Sequence, residues 1–133
     1  MLRHKGIYAF AVSLLALAVI GCDTSYDVLP VKGTITYDGE PVPELLIQFA
    51  PEGGRASTGS VKADGTFELG YTIDQMGVEP GKHTITVVHE SPTDEAGEVP
   101  ELTQKALDDF ETNGPIEATI DSPQENFEIK LPR

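Results

Sequence analysis

Acidic side chains gathered between residues 90 and 101 are the ones in this chain best suited to chemistry. The stretch HESPTDEAGEVPE contains Glu90, Asp94, Glu95, Glu98 and Glu101. Carboxylate oxygens are the ligands that Ca²⁺ prefers, so these residues are candidates for a calcium site, although their spacing differs from that of an EF-hand loop. The alternative is a solvated acidic loop, and we predict neither a bound metal nor another cofactor.

Two histidines precede these acidic residues. His83 and His89 are six residues apart on one predicted strand. They share a face, but their α-carbons lie roughly 20 Å apart, so they cannot ligate one metal together. We expect both to be partly exposed near the ends of the strand. The sequence contains no HExxH or GxSxG pattern and no phosphate-binding glycine loop. We therefore predict that the chain is not an enzyme.

The only cysteine, Cys22, closes the only long apolar run of the chain. Arg3 and Lys5 precede this run, and no residue from 7 to 20 is charged. The run is shorter than the roughly 20 residues that a membrane-spanning helix needs. A basic start followed by a short apolar segment is typical of an export signal.

The residues Val19-Ile20-Gly21-Cys22 at the end of the run resemble the lipobox of bacterial lipoproteins. In that family the cysteine receives lipid and becomes the mature N-terminus. We therefore predict a cleaved signal peptide over residues 1–21, a lipidated Cys22 with a tether over residues 22–30, and a domain over residues 31–133. The alternative reading of Cys22 as half of a disulfide has no second cysteine to support it.

The location implied is the bacterial cell envelope, with a domain held outside the cytoplasm on the inner or outer membrane. Removal of Arg3 and Lys5 with the signal leaves seven basic and 22 acidic side chains, a net charge of −15. Such a charge disfavours nucleic acid as a partner. It favours cations and basic proteins, and the membrane is expected as a partner through the lipid.

Alternating apolar residues predict the strands VKGTITY, ELLIQFA and KHTITVVHE. A closing hairpin is predicted from IEATID and NFEIK, with Ile120 opposite Phe127 and Ile116 opposite Leu131. Leu102, Ala106 and Phe110 recur at helical spacing before a stop signal, which predicts a short helix over residues 101–112.

Turn residues separate these strands, and Gly39, Asp64, Gly65 and Gly81 are the structural positions that we single out. The stretch TGSVKADGTFEL is a hairpin signal. Only a three-residue loop over residues 63–65, with Gly65 in the left-handed region, pairs Val61 with Phe67 and keeps one face apolar. Together the strands and turns predict an all-β protein, a single antiparallel sandwich of about seven strands.

The series VKGTITYDGEPV, IQFAPEGG, GSVKADGTFEL and VEPGKHTITVVHE resembles the carboxypeptidase regulatory-like domain. This resemblance implies a transthyretin-like, immunoglobulin-like sandwich of seven antiparallel strands. Domains of this kind accompany catalytic domains without cleaving substrate, and in bacterial envelopes they serve as accessory or interaction modules.

Three functions follow, in order of preference. The first is a lipid-anchored envelope protein that binds another protein or an envelope polymer without bond chemistry. The second is a structural or assembly component of an envelope complex. The third is a hydrolase that uses a pair of carboxylates, and it ranks last because no nucleophile and base are visible together.

Overall fold

Strands make up about half of the residues described by the structure, a computed structural model that covers residues 26–93, 95 and 97–133. In chain order the elements are β1 (Val31–Tyr37), β2 (Glu40–Pro41), β3 (Leu45–Pro51), β4 (Ser57–Ser60), β5 (Thr66–Glu68), β6 (Gly70–Thr72), β7 (Gln75–Met76), β8 (Gly81–His89), α1 (Glu101–Asn113), β9 (Ile116–Ile120) and β10 (Gln124–Leu131).

Alternate burial along the longer strands follows the sequence pattern. In β1 the side chains of Val31, Ile35 and Tyr37 are buried, and in β3 those of Leu45, Ile47 and Phe49 are buried, while their neighbours face outward or are only partly covered. Successive strand residues point to opposite faces, so one apolar residue in two suffices to build the core. The prediction of an all-β protein is confirmed.

Two sheets supply the faces of that core. In the smaller sheet β1 is central, with β10 on one side and with β5 and β2 both pairing on the other. The larger sheet has the order β7-β6-β4-β3-β8-β9. Phe49 of β3 and Phe127 of β10 meet with their ring centroids 5.9 Å apart, so the two sheets pack face to face.

The predicted closing hairpin is wrong. Strand β9 pairs with β8 in the larger sheet, with Ile116 opposite Ile85 and Ile120 opposite Gly81. Strand β10 crosses to the smaller sheet and pairs with β1, where Leu131 lies opposite Tyr37. The alternation in both strands identifies the face that is buried, and that face is equally covered when the strands belong to opposite sheets.

The expectation of a wholly antiparallel sandwich is also wrong, because β10 runs parallel to β1. Parallel neighbours need a long connection between them, and here almost the whole domain lies between the two strands. The described residues form ten strands rather than seven, and two of them, β2 and β7, are only two residues long.

Residues 61–65 connect β4 to β5, and within them Ala63, Asp64 and Gly65 form a three-residue loop between Lys62 and Thr66. Lys62 N donates to Thr66 O at 2.9 Å, and Gly65 N donates to Lys62 O at 2.9 Å. Gly65 has a φ of 83°, which places it in the left-handed region that such a loop requires.

Beyond the loop, β4 and β5 enter different sheets, and the two arms of this hairpin pair again only at Thr58 and Gly70. Thr58 pairs with Gly70 in the register that the loop sets, but Phe67 pairs with Gly33 of β1. Val61 N instead donates to a carbonyl of β3 at 2.8 Å. The expected Val61–Phe67 pair is therefore replaced, because each arm joins a different sheet and carries its apolar residue into the core from its own side.

The helix α1 begins and ends close to its predicted bounds. Ala106 and Phe110 are buried, and Gly114 N donates to Phe110 O at 2.9 Å just after the last helical residue. The helix packs against β8. Thr103 is also buried, and its hydroxyl donates to Pro43 O at 2.9 Å, so this helix is joined to the loop before β3.

The chain upstream of β1 is bound to the domain from Tyr26 onward. Leu29 and Val78 form a bridge in which each N donates to the other residue's O at 2.8 Å. Tyr26 N donates to Gln75 Oε1 at 3.1 Å, and Gln75 Nε2 donates to Tyr26 O at 2.6 Å. Part of the segment expected to act as a tether is thus held beside β7.

Candidate functional site

Two of the predicted site residues, Cys22 and Asp94, lie outside the described residues. The predicted signal peptide also lies there. Within the described ranges, the helix that the structure contains is too short to cross a bilayer.

A groove at one end of the larger sheet brings together residues from three separate segments. We call it the Glu90 groove. Its volume is about 420 Å³, and its lining residues are Pro43, Glu44, Leu45, Ser60, Val61, Ala63, Glu90, Ser91 and Pro92. Because β3 and β8 are antiparallel neighbours, with Leu45 opposite His89, the end of β8 places Glu90 beside the start of β3.

Backbone geometry fixes the two glutamates of the groove. Glu44 has a φ of 57°, which is uncommon for a residue other than glycine. Glu90 N donates to Glu44 O at 2.9 Å, which extends the ladder by one bond. The carboxylate of Glu44 lies 3.1 Å from His89 Nε2.

Among the described residues, only one oxygen of the Glu90 carboxylate has a hydrogen-bond partner. Ser60 Oγ donates to Glu90 Oε1 at 3.0 Å. Glu90 Oε2 is shielded from solvent and accepts no hydrogen bond from any residue that the structure describes. A buried polar atom without a partner is costly, by about 1–3 kcal/mol or more when the group is charged, so a donor that displaces the groups covering Oε2 would gain by hydrogen-bonding to it.

The groove is suited to a cationic group with an apolar stem. Glu44 and Glu90 both line it, and Pro43, Ala63 and Pro92 supply accessible apolar surface. A lysine or arginine side chain matches both parts, because its stem packs on apolar surface and its head donates to carboxylates. Ser60 and His89 hydrogen-bond to different glutamates rather than to each other, so they are not arranged as a nucleophile and its base.

The remaining calcium candidates are spread along the loop after β8. Glu95 and Glu98 are exposed, and Glu101 is the first residue of α1. Glu95 O accepts hydrogen bonds from Ser91 Oγ at 3.2 Å and Thr93 Oγ1 at 3.3 Å. Among residues 26–93, 95 and 97–133 there is no group of three or more acidic, histidine or cysteine side chains placed to hold a metal. A calcium site that includes Asp94 lies partly outside the described residues, so the structure does not test this weaker candidate.

His83 is buried, with only 1% of its surface exposed, so the expectation of partial exposure is wrong for this residue. Its ring centroid lies 5.8 Å from that of Phe49, and Nε2 lies 2.6 Å from Glu79 O. A carbonyl oxygen only accepts, so Nε2 is the protonated nitrogen. His83 is covered because it lies on the core-facing side of β8 with Ile85 and Val87, where its ring packs against Phe49. His89 stays 27% exposed.

One polar contact between α1 and β1 has no signal in the sequence. The Tyr37 hydroxyl donates to the Asp109 carboxylate. This hydrogen bond, assisted by burial, raises the pKa of Tyr37. The contact joins residues 72 positions apart, which is why local patterns do not reveal it.

The predicted turn positions have local structural roles. Gly39 has a φ of 80° between β1 and β2, and Gly81, with a φ of 123°, is the first residue of β8. Asp64 accepts hydrogen bonds from Thr66 Oγ1 at 2.6 Å and Thr66 N at 3.0 Å. These bonds lower the pKa of Asp64 below its usual 3.8, since they stabilise the charged form.

A second groove of about 530 Å³ lies on the outer face of β1. Its charges are mixed, with Lys32 and Lys62 facing Glu68, Glu125 and Glu128. Lys32 Nζ lies 3.9 Å from Glu68 Oε1, and both side chains are about half exposed. Exposed ion pairs of this kind contribute about 0–1 kcal/mol to stability. Because side chains of both charges line this groove, it favours neither an anionic nor a cationic ligand.

No family model, curated protein or solved structure matches this chain. What the structure establishes is a mostly β protein of two packed sheets, with an acidic groove at one end of the larger sheet. Membership of the carboxypeptidase regulatory-like family stays a prediction.

Proposed function

We propose that this chain is a bacterial lipoprotein of the cell envelope, anchored through Cys22, that acts as a non-catalytic binding module. The predicted signal peptide and lipobox support the anchor. The Glu90 groove supports the binding role, and we assign to it a basic group of an envelope protein or polymer.

The observation that carries the binding role is the shielded Oε2 atom of Glu90, which lacks a donor among the described residues. A lysine ammonium of a partner would supply that donor once it displaces the groups that cover Oε2. The net charge of −15 of the mature chain attracts basic partners over distances up to about the Debye length of 8 Å at physiological salt.

Carbodiimide crosslinking in native membranes tests this role, because the reagent joins a carboxylate to an amine in contact with it. We expect mass spectrometry to find Glu90 or Glu44 joined to a lysine or other amine of a neighbour. Glu90→Gln should lose the product at Glu90 and give less of the product at Glu44, because it removes the carboxylate proposed to hold the amine. Glu98→Gln is the matched control, since Glu98 is exposed outside the groove, and it should retain the product.

Equal crosslinking of the parent and Glu90→Gln would contradict a partner at the groove. The anchor is tested separately by the mass of the N-terminal peptide and by Cys22→Ser. We expect an acylated Cys22 in the parent and loss of membrane fractionation in the variant. An unmodified Cys22, or a variant that still fractionates with membranes, would contradict the anchor.

A further inference from the structure

Exposed apolar side chains are concentrated at one corner of the domain. Among the described residues, four large apolar side chains are exposed: Tyr26 at 44%, Ile73 at 100%, Met76 at 47% and Val88 at 53%. The first three lie on the turn between β6 and β7 and on the segment docked beside it, which together we call the Ile73 corner. Exposed apolar side chains grouped in this way, on the turn, on Met76 of β7 and on the segment bound to Gln75, mark a surface that meets something other than water.

Ile73 stands at the tip of this turn, where Thr72 pairs with Gln75 and leaves only Ile73 and Asp74 between them. The tip position explains the full exposure of Ile73 but not the choice of residue, because turns favour glycine, asparagine and aspartate. An isoleucine there gains nothing from the fold of the domain itself.

The chain that leads to the predicted lipid is fixed at the same corner. Both backbone groups of Tyr26 hydrogen-bond to the side chain of Gln75, and the Tyr26 ring meets that of Tyr71 edge-on at 5.1 Å. Tyr71 is held in turn by a hydrogen bond of 3.0 Å from its hydroxyl to Glu79 Oε1. Residue 26 therefore cannot move away from β7 without breaking these contacts.

The distance from this corner to a membrane follows from the proposed anchor at Cys22, on which this inference rests. Four residue steps separate Cys22 from Tyr26, and an extended chain covers at most about 14 Å in four steps. The headgroup region on each side of a bilayer is itself about 5–8 Å thick. The Ile73 corner is then the part of the described domain closest to the lipid.

We propose that the Ile73 corner is a second membrane contact, in which Ile73 enters the interfacial region of the bilayer and Tyr26 lies at headgroup level. Tyrosine is enriched at membrane interfaces because its ring is apolar and its hydroxyl is polar. The exposed neighbours Asp27 and Asp74 carry negative charge, so the contact suits zwitterionic lipid and is opposed by anionic lipid.

Two points of attachment give the domain one orientation on the membrane. On β4, Thr58 pairs with Gly70 toward the Ile73 corner, while Ser60 at the other end lines the Glu90 groove. The groove and the corner thus lie at opposite ends of the strands. A contact at Ile73 turns the Glu90 groove away from the bilayer, toward partners in the envelope.

Fluorescence quenching in vesicles tests the contact with two single-cysteine substitutions in the full chain, Ile73→Cys and Val88→Cys. Val88 is the matched control because it is also apolar and exposed, yet it lies three strands from β6 and toward the groove, roughly 20 Å from Ile73. Each protein is labelled with an environment-sensitive dye and reconstituted into phosphatidylcholine vesicles that carry nitroxide lipid. Acylated Cys22 has no free thiol to label.

We expect loss of fluorescence and a blue shift of emission for the dye at residue 73, with neither for the dye at residue 88. Ile73 is fully exposed, so its substitution leaves the fold intact. If the acylated proteins float with the vesicles and both dyes are equally quenched or equally unquenched, the contact is wrong while the anchor stands. If Cys22 carries no lipid and the proteins do not float, the anchor and the contact are both wrong.

Discussion

Substitution of Gly33 by alanine is the sharpest test of the parallel pairing between β1 and β10. Gly33 lies opposite Phe127 in this ladder. A Cβ atom at Gly33 would overlap the carbonyl oxygen of Phe127, lie 2.8 Å from its carbonyl carbon and lie 3.0 Å from Cζ of Phe67. Because the main obstacle is backbone, the clash cannot be relieved by turning a side chain, and the two strands must separate.

The size of the effect follows from that separation. Overpacking that is relieved by side-chain and backbone shifts costs about 1–3 kcal/mol, and weakened ladder hydrogen bonds add roughly 0.5–1.5 kcal/mol each. We therefore expect Gly33→Ala to lower the free energy of unfolding by about 3 kcal/mol or more. For a domain of this size that corresponds to a fall in Tm of about 12–24 °C.

Thermal and urea unfolding, followed by circular dichroism on the parent and variant under the same conditions, measures this loss. Gly97→Ala is the control, because a Cβ atom at Gly97 meets nothing within 4 Å. It should leave stability within about 1 kcal/mol of the parent, since removing a glycine also reduces the entropy of the unfolded chain. A Gly33→Ala variant within about 0.5 kcal/mol of the parent would refute the close approach of β10 to β1.

Two further predictions concern the loop between β4 and β5. Gly65→Val should lower the free energy of unfolding, measured in urea, by about 1–3 kcal/mol from backbone strain alone. The loss should exceed that of Gly53→Val, because Gly65 is crowded by β1 and β2 whereas Gly53, with a φ of 72°, faces open space. Equal losses for the two variants would contradict the crowding at Gly65. Hydrogen bonds from Thr66 hold the pKa of Asp64 below 3.8 in the folded state. The ionised carboxylate therefore stabilises the fold at any pH above the pKa of the unfolded chain. This stabilisation is lost as the pH falls through the lower pKa of the folded state. Asp64→Asn should therefore be less stable than the parent near about pH 7 and approach it near about pH 3; a difference in unfolding free energy that is independent of pH would contradict this account.

Local patterns were sufficient for the longer elements, but not for the short strands β2, β6 and β7. The alternation in β1, β3 and β8 identified the buried face of each strand, and the spacing of Ala106 and Phe110 identified α1. These predictions succeed because side-chain direction depends on the backbone of the same short segment.

The alternation places His83 on the buried face of β8 with Ile85 and Val87, but its full burial and the separation of the hairpin arms after Gly65 were not predictable in this way. The ring of His83 packs against Phe49 of β3, and Phe67 joins β1 rather than β4. Each outcome depends on which distant segments become neighbours, and that information is absent from the pattern of the segment itself.

The Glu90 groove shows the same division. Its acidic residues were visible in the sequence, and Glu90 was singled out, but as part of a calcium loop with Asp94, Glu95 and Glu98. In the structure its partners are Glu44 and Ser60, which are 46 and 30 positions away along the chain.

By itself the sequence determined the β class, the faces of the strands, the position of the helix and the three-residue loop at Gly65, because each depends on interactions within a few residues. Only the tertiary structure decided that β10 pairs with β1 in parallel, that β9 joins β8, and that Glu44, Ser60 and Glu90 meet. An apolar alternation is satisfied by any arrangement that buries the same face, so the choice of neighbour is made by the packing of the whole domain.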